Sequence, residues 1–79
     1  MKDEQKHALA KCCILMLEML IVEYRRKNIS SEKFAQEAKL KIHFLKDYVA
    51  QLEDSEEKQQ IKKLLKSCDD ILAVNSIPQ

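Results

Sequence analysis

The sequence predicts an all-α chain folded as a three-helix antiparallel up-down-up bundle, and three observations carry that expectation. Glycine is absent and the only proline is Pro78, so the tight turns that a small sheet protein needs are missing. The good helix formers Leu, Lys, Glu, Gln and Ala are abundant. Apolar residues recur at helical spacing and not in alternation. The 79 residues make a single helical-bundle domain, of a size that buries only about 60% of its unfolded surface. Its core is expected to be aliphatic, because Tyr24, Phe34, Phe44 and Tyr48 are the only aromatics.

Helix 1 is predicted from about residue 3 to 27. Between Ala8 and Tyr24 only Lys11, Glu18 and Glu23 are polar. Glu4, Lys11, Glu18 and Arg25 recur every seven residues, which draws one nearly straight polar line along a helix. His7 lies near that line. The opposite face, Leu9, Cys13, Met16 and Leu20, flanked by Cys12, Leu17, Met19 and Tyr24, is the expected core face. Ile14, Leu15, Ile21 and Val22 sit beside the charged line by helical angle. Burying Ile14, Ile21 and Val22 as well requires a nearly central helix or a partner. As the most apolar element, helix 1 is expected to be the most buried.

Asn28-Ile29-Ser30 separates helices 1 and 2. Asn tolerates the left-handed conformation that closes a helix, and Arg25, Arg26 and Lys27 suit the negative end of the helix 1 dipole. Ser30 is a good N-cap, and Ile29 and Phe34 have the spacing of a hydrophobic staple around it. Helix 2 then runs from about 31 to 52, with a stripe of Phe34, Ala38, Leu45, Tyr48, Val49 and Leu52. Ile42 lies beside this stripe and Lys41 within it. Glu37, four residues before Lys41, has the favourable order for an ion pair, and Lys41 is expected to snorkel at the core edge. Leu40 and Phe44 fall off the stripe, one turn apart.

Helix 3 is predicted from about 55 to 74, with 75–79 as a frayed tail. Its stripe is Ile61, Leu64, Leu65, Cys68, Ile71 and Leu72. Nine residues separate Leu52 from Ile61. At ~100° per residue a continuous helix would put the two stripes on opposite sides, so the chain must break near 53–55. Asp54 and Glu57 have capping-box spacing, with Asp as the cap. Short links make sequential helices antiparallel neighbours.

Net charge is +1, from 14 basic and 13 acidic residues, without the basic excess of a dedicated nucleic-acid binder. Residues 1–28 carry six basic and four acidic groups, 29–53 four and four, and 54–79 four and five, so no charged tail stands out. Cys12, Cys13 and Cys68 are odd in number and two are adjacent, unlike an extracellular disulfide framework. The opening residues lack a secretory-signal pattern, and the apolar run after them is too short and too charged to span a bilayer. These features predict a cytoplasmic protein with free thiols and no membrane association.

No catalytic, cofactor-binding or metal-binding constellation emerges, so the expectation is a protein that is not an enzyme and needs no cofactor. Adjacent Cys12 and Cys13 point ~100° apart on a helix and have no zinc-type spacing to a partner. Cys13 and Cys68 fall on core stripes, where thiols act as small hydrophobes. His7 and His43 have no visible partners, and Glu56-Glu57 and Asp69-Asp70 read as helix-surface charge. The functional hint is the apolar surplus of helix 1. It points to a small regulatory interaction module, or an inhibitor, that docks on another protein or on a second copy of itself as a homodimer. Ile14, Glu18, Ile21 and Val22 are the candidate partner-binding residues, with Leu40 and Phe44 as a second patch. The alternative is a nucleic-acid-associated protein using Lys58, Lys62, Lys63 and Lys66 on helix 3, or Arg25, Arg26 and Lys27. No aromatic adjoins either cluster for base stacking, and Glu32 and Glu37 oppose phosphate approach.

The stretch Tyr24-Arg25-Arg26-Lys27-Asn28-Ile29-Ser30-Ser31-Glu32-Lys33-Phe34 resembles the hairpin turn of many short bacterial helical domains. It covers about a seventh of the chain, and its residues serve capping and stapling. In size and helicity the chain is also similar to bacteriocin immunity proteins, with no shared residue motif. Its Lys, Ile, Glu and Asn usage suits an AT-rich bacterial or phage genome.

Overall fold

The computed structural model describes residues 3–76. They form helix α1 (Asp3–Arg25), helix α2 (Ser31–Ala50) and helix α3 (Glu56–Ser76), with no strand among the described residues. The three make an antiparallel up-down-up bundle of 41 × 20 × 19 Å, close to one helix long and two helices wide. Residues 77–79 of the expected tail lie outside the described residues, while the helix continues through residues 75 and 76.

Each end of the first turn has a local cause. Lys27 takes a left-handed backbone with φ 65°. The amide of Asn28 donates to the carbonyl of Glu23 at 2.9 Å and that of Lys27 to Tyr24 at 3.0 Å, the paired bonds of a Schellman closure. The left-handed residue is therefore Lys27 and not Asn28, and α1 ends two residues before its expected limit. Asn28 instead donates from Nδ2 to Glu23 Oε2 at 2.9 Å, locking the turn from the side. Ser30 caps α2 as expected, its Oγ accepting from the Lys33 amide at 3.0 Å. Ile29 is packed on the core beside fully buried Phe34, whose ring lies 6.0 Å from that of Tyr24.

The second turn differs more. Helix α2 stops at Ala50, and the amides of Gln51 and Leu52 turn back to Tyr48 and Val49. Ser55, not Asp54, caps α3, with Oγ accepting from the Lys58 amide at 3.2 Å. The hydroxyl wins because the helix starts one residue later, at Glu56, which puts Ser55 at the capping position. Lys58 straps the turn: its Nζ donates to the Leu52 carbonyl at 3.0 Å and lies 3.6 Å from Asp54.

The core is aliphatic apart from Phe34 and the thiols of Cys13 and Cys68. It joins Ala10, Cys13, Leu17 and Ile21 of α1 to Phe34, Ala38, Ile42, Leu45 and Val49 of α2 and to Ile61, Leu65, Cys68 and Ile71 of α3. Two expectations are corrected here. Helix α2 is the central element, packing closely on both neighbours, while α1 and α3 meet more sparsely. Short turns make α2 the sequence neighbour of both. Second, α1 is rotated by roughly 75° from its expected phase, counted at ~100° per residue. Met16 and Leu9, assigned to the core, are half-exposed, and Ile21, placed beside the charged line, is buried. Ala10 and Leu17 occupy the true core face, both fully buried.

Candidate interaction surface

Helix α1 carries two apolar faces, and the bundle uses one. Opposite Ala10, Cys13, Leu17 and Ile21 stand Ala8, Cys12, Leu15, Met19 and Val22, all exposed. Leu15 is 63% exposed and Met19 68%, values typical of polar surface positions. These five residues follow a strict four-three spacing, the seam pattern of helices that pair along their length. Leu9 and Met16 flank the seam on the side nearer α2. Between the helices, Met16, Met19, Leu20 and Glu23 of α1 and Glu37 and Lys41 of α2 line a shallow groove of about 310 Å³.

The charges near this groove are mostly tied down. Lys41, half-buried, turns its Nζ back onto the Glu37 carbonyl at 2.8 Å. The Glu37 carboxylate pairs with Lys33 at 3.0 Å, not with Lys41. The bond and charge of Lys33 hold that carboxyl below the ordinary carboxylate range, with a smaller contribution from Lys41. The groove floor is therefore methionine and leucine, with its polar rim satisfied from within.

Of the six expected partner-binding residues, the structure spreads rather than groups them. Val22 is exposed at one end of the α1 seam, and Glu18 is exposed beside it. Ile14 is half-buried against α3, lining a hollow with Glu57, Gln60, Ile61 and Leu64. Ile21 is in the core and is not available to a partner. Leu40, 80% exposed, projects from α2 three residues past Glu37. Phe44 is half-buried and stacks on Tyr48 with ring centroids 6.2 Å apart. Leu15 and Met19, the most exposed of the large apolar residues of α1, lie opposite its buried face and outside the expected partner-binding set. The signal that finds them is the four-three spacing read separately from the strongest stripe.

The basic clusters do not meet. Arg25, Arg26 and Lys27 sit at the first turn, and Lys58 at the second, at the opposite end of an up-down-up bundle. Lys58 is engaged in its turn. Lys62, Lys63 and Lys66 are exposed, but Asp69 and Asp70 share their helix, and Asp69 pairs with Lys46 at 3.2 Å.

One polar cluster was not visible in sequence. His7 Nδ1 shares a hydrogen bond of 2.9 Å with the Tyr48 hydroxyl and lies 3.9 Å from Glu57 Oε1. Burial, and to a lesser degree the Glu57 charge, pushes the Tyr48 phenol up. The three residues come one from each helix and meet where the start of α1, the end of α2 and the start of α3 converge. They bind the helices together, and His7 and Tyr48 also line a hollow of about 340 Å³ with Lys6, Gln51 and Leu52. His43 is exposed and near only Asp47, at 3.7 Å. Among the described residues no group of three His, Cys, Asp or Glu side chains could hold a metal ion. Cys13 and Cys68 are buried and Cys12 is exposed, all as free thiols. No described helix is long and apolar enough to cross a membrane.

No protein-family model, curated protein or solved structure matches this chain.

Proposed function

We propose that this chain is a non-enzymatic protein-interaction module, a small regulator or inhibitor that docks through the outward face of α1. The observation that carries this reading is the exposed apolar row Cys12, Leu15, Met16, Met19 and Val22 on a helix whose other face already fills the core. Contiguous exposed apolar surface of this kind marks an interface on a small monomer, and two methionines in the row suit a surface that adapts to a partner. Leu40 is a separate exposed apolar position on α2. Leu15 and Met19, 63% and 68% exposed, contribute little to the core of the bundle, so its own stability does not explain their apolar character.

The test is a photo-crosslinking residue placed at Met19 in the living source cell, with Lys62 as the control position. Specific adducts from Met19 and none from Lys62 support the reading. Equal labelling at both, or none at either, overturns it. The nucleic-acid alternative rests on exposed Lys62, Lys63 and Lys66. It predicts low-salt binding to DNA or RNA that weakens steeply with salt, and a flat titration removes it.

A further inference from the structure

We infer that the partner of the α1 seam is a second copy of the chain, paired antiparallel along α1. This deepens the proposed function and rests on it. The seam Ala8, Cys12, Leu15, Met19, Val22 has the a/d spacing of a two-stranded coiled coil. In that frame Glu4, Lys11, Glu18 and Arg25 form one flank and Leu9, Met16 and Glu23 the other. The four charged residues are exposed. Among the described residues none of them has an ion-pair partner in its own chain, whereas Lys33, Lys46 and Lys58 each do.

The order of those charges selects the orientation. Read from residue 4 to 25 the flank is minus, plus, minus, plus. Reversed, it is plus, minus, plus, minus. Two antiparallel copies bring like flanks together, so Glu4 meets the partner's Arg25 and Lys11 the partner's Glu18, and both pairs recur by symmetry. The same register stacks Cys12 on the partner's Leu15 and Ala8 on the partner's Met19. On the other flank it sets Leu9 against the partner's Met16, so apolar meets apolar there. Sliding by one heptad puts Lys11 against the partner's Arg25 and Glu18 against the partner's Glu18. A parallel pair brings Glu18 to the partner's Glu23. Only one antiparallel register satisfies both flanks.

The reach is sufficient. The seam from Ala8 to Val22 is about 21 Å long and its charged flank from Glu4 to Arg25 about 32 Å at 1.5 Å per residue, which suits the low end of specific pairs, about 1,200 Å² in total or less. Such a dimer is concentration-dependent.

The test uses Lys11→Glu and Glu18→Lys, both at exposed sites, with circular dichroism confirming that each variant folds. Wild type should show dimers by light scattering that dissociate on dilution. Each variant alone faces like charge at both symmetric pairs and should dimerise about tenfold or more weakly at low salt, the gap closing as salt rises. Mixed in equal amounts, the two variants should recover wild-type association, because each now meets its opposite. Recovery on mixing supports the antiparallel pairing. A wild type that stays monomeric at millimolar concentration overturns self-pairing, as do single variants that dimerise like wild type. Adducts from Met19 to a different protein would then keep the broader docking reading while this one fails.

Discussion

Replacing Ile21 and Met19 with aspartate, separately, decides which face of α1 is core. The two residues are two positions apart on one helix, yet Ile21 is 6% exposed and Met19 68%. Truncating a buried Ile costs about 2–5 kcal/mol, and a carboxylate without a partner adds further kcal/mol or forces itself to stay protonated. No buried cation faces Ile21: the core contains no polar or charged residue among those described. A chain of 79 residues has a total stability of about 4–12 kcal/mol. Ile21→Asp should therefore unfold it or leave it marginal at 25 °C. Met19→Asp buries nothing and loses only helix propensity, about 0.5 kcal/mol, which lowers Tm by roughly 2–4 °C in a domain this small. The assay is urea and thermal denaturation followed by far-ultraviolet circular dichroism. A folded Ile21→Asp beside an unfolded Met19→Asp would refute the packing of α1, and the docking surface with it.

Three further outcomes follow from local features. Lys27→Gly should raise stability by about 1 kcal/mol, since the left-handed backbone at φ 65° carries a side-chain penalty that glycine lacks; an unchanged urea midpoint counts against the strain. Iodoacetamide at neutral pH and high dilution should label Cys12 of the folded monomer and spare buried Cys13 and Cys68, all three reacting in urea; equal native rates contradict the core assignment. Burial first, then the Asp69 charge, pushes the Cys68 thiol up to about 11 from its ordinary 9.0. The unfolded thiol ionises first, so this stability is intact below pH 9 and is lost between about pH 9 and 11, by roughly 1 kcal/mol at pH 10; Cys68→Ala should flatten that limb of the stability–pH curve while lowering the plateau.

Much of the bundle is legible from local chemistry. The Ser30 cap, the Ile29–Phe34 staple and the stripe of α3 depend on neighbours within a turn or two, and each stands where spacing puts it, whereas the α2 stripe turns slightly, taking Ile42 into the core and leaving Tyr48 and Leu52 half-buried. The break between α2 and α3 follows from their opposed phases, although its cap shifts to Ser55 because two capping residues compete there. The phase of α1 is different. With apolar residues on two faces and only a thin charged line, its periodicity allows more than one core face, and Met16 competes with Ile21 on equal hydrophobic terms.

The tertiary structure settles that choice by fit. With Ala10, Cys13, Leu17 and Ile21 packed inward, Leu15 and Met19 on the opposite side of the helix turn outward. The His7–Tyr48–Glu57 cluster is likewise decided only in three dimensions, since its members are up to fifty residues apart and meet where three helix ends converge. The sequence by itself determined the all-α class, the stripe of α3, most of that of α2, and the charged line of α1. Only packing decided which side of α1 that line borders, because amphipathic periodicity fixes a helix's rotation when one face is apolar and leaves it open when two are.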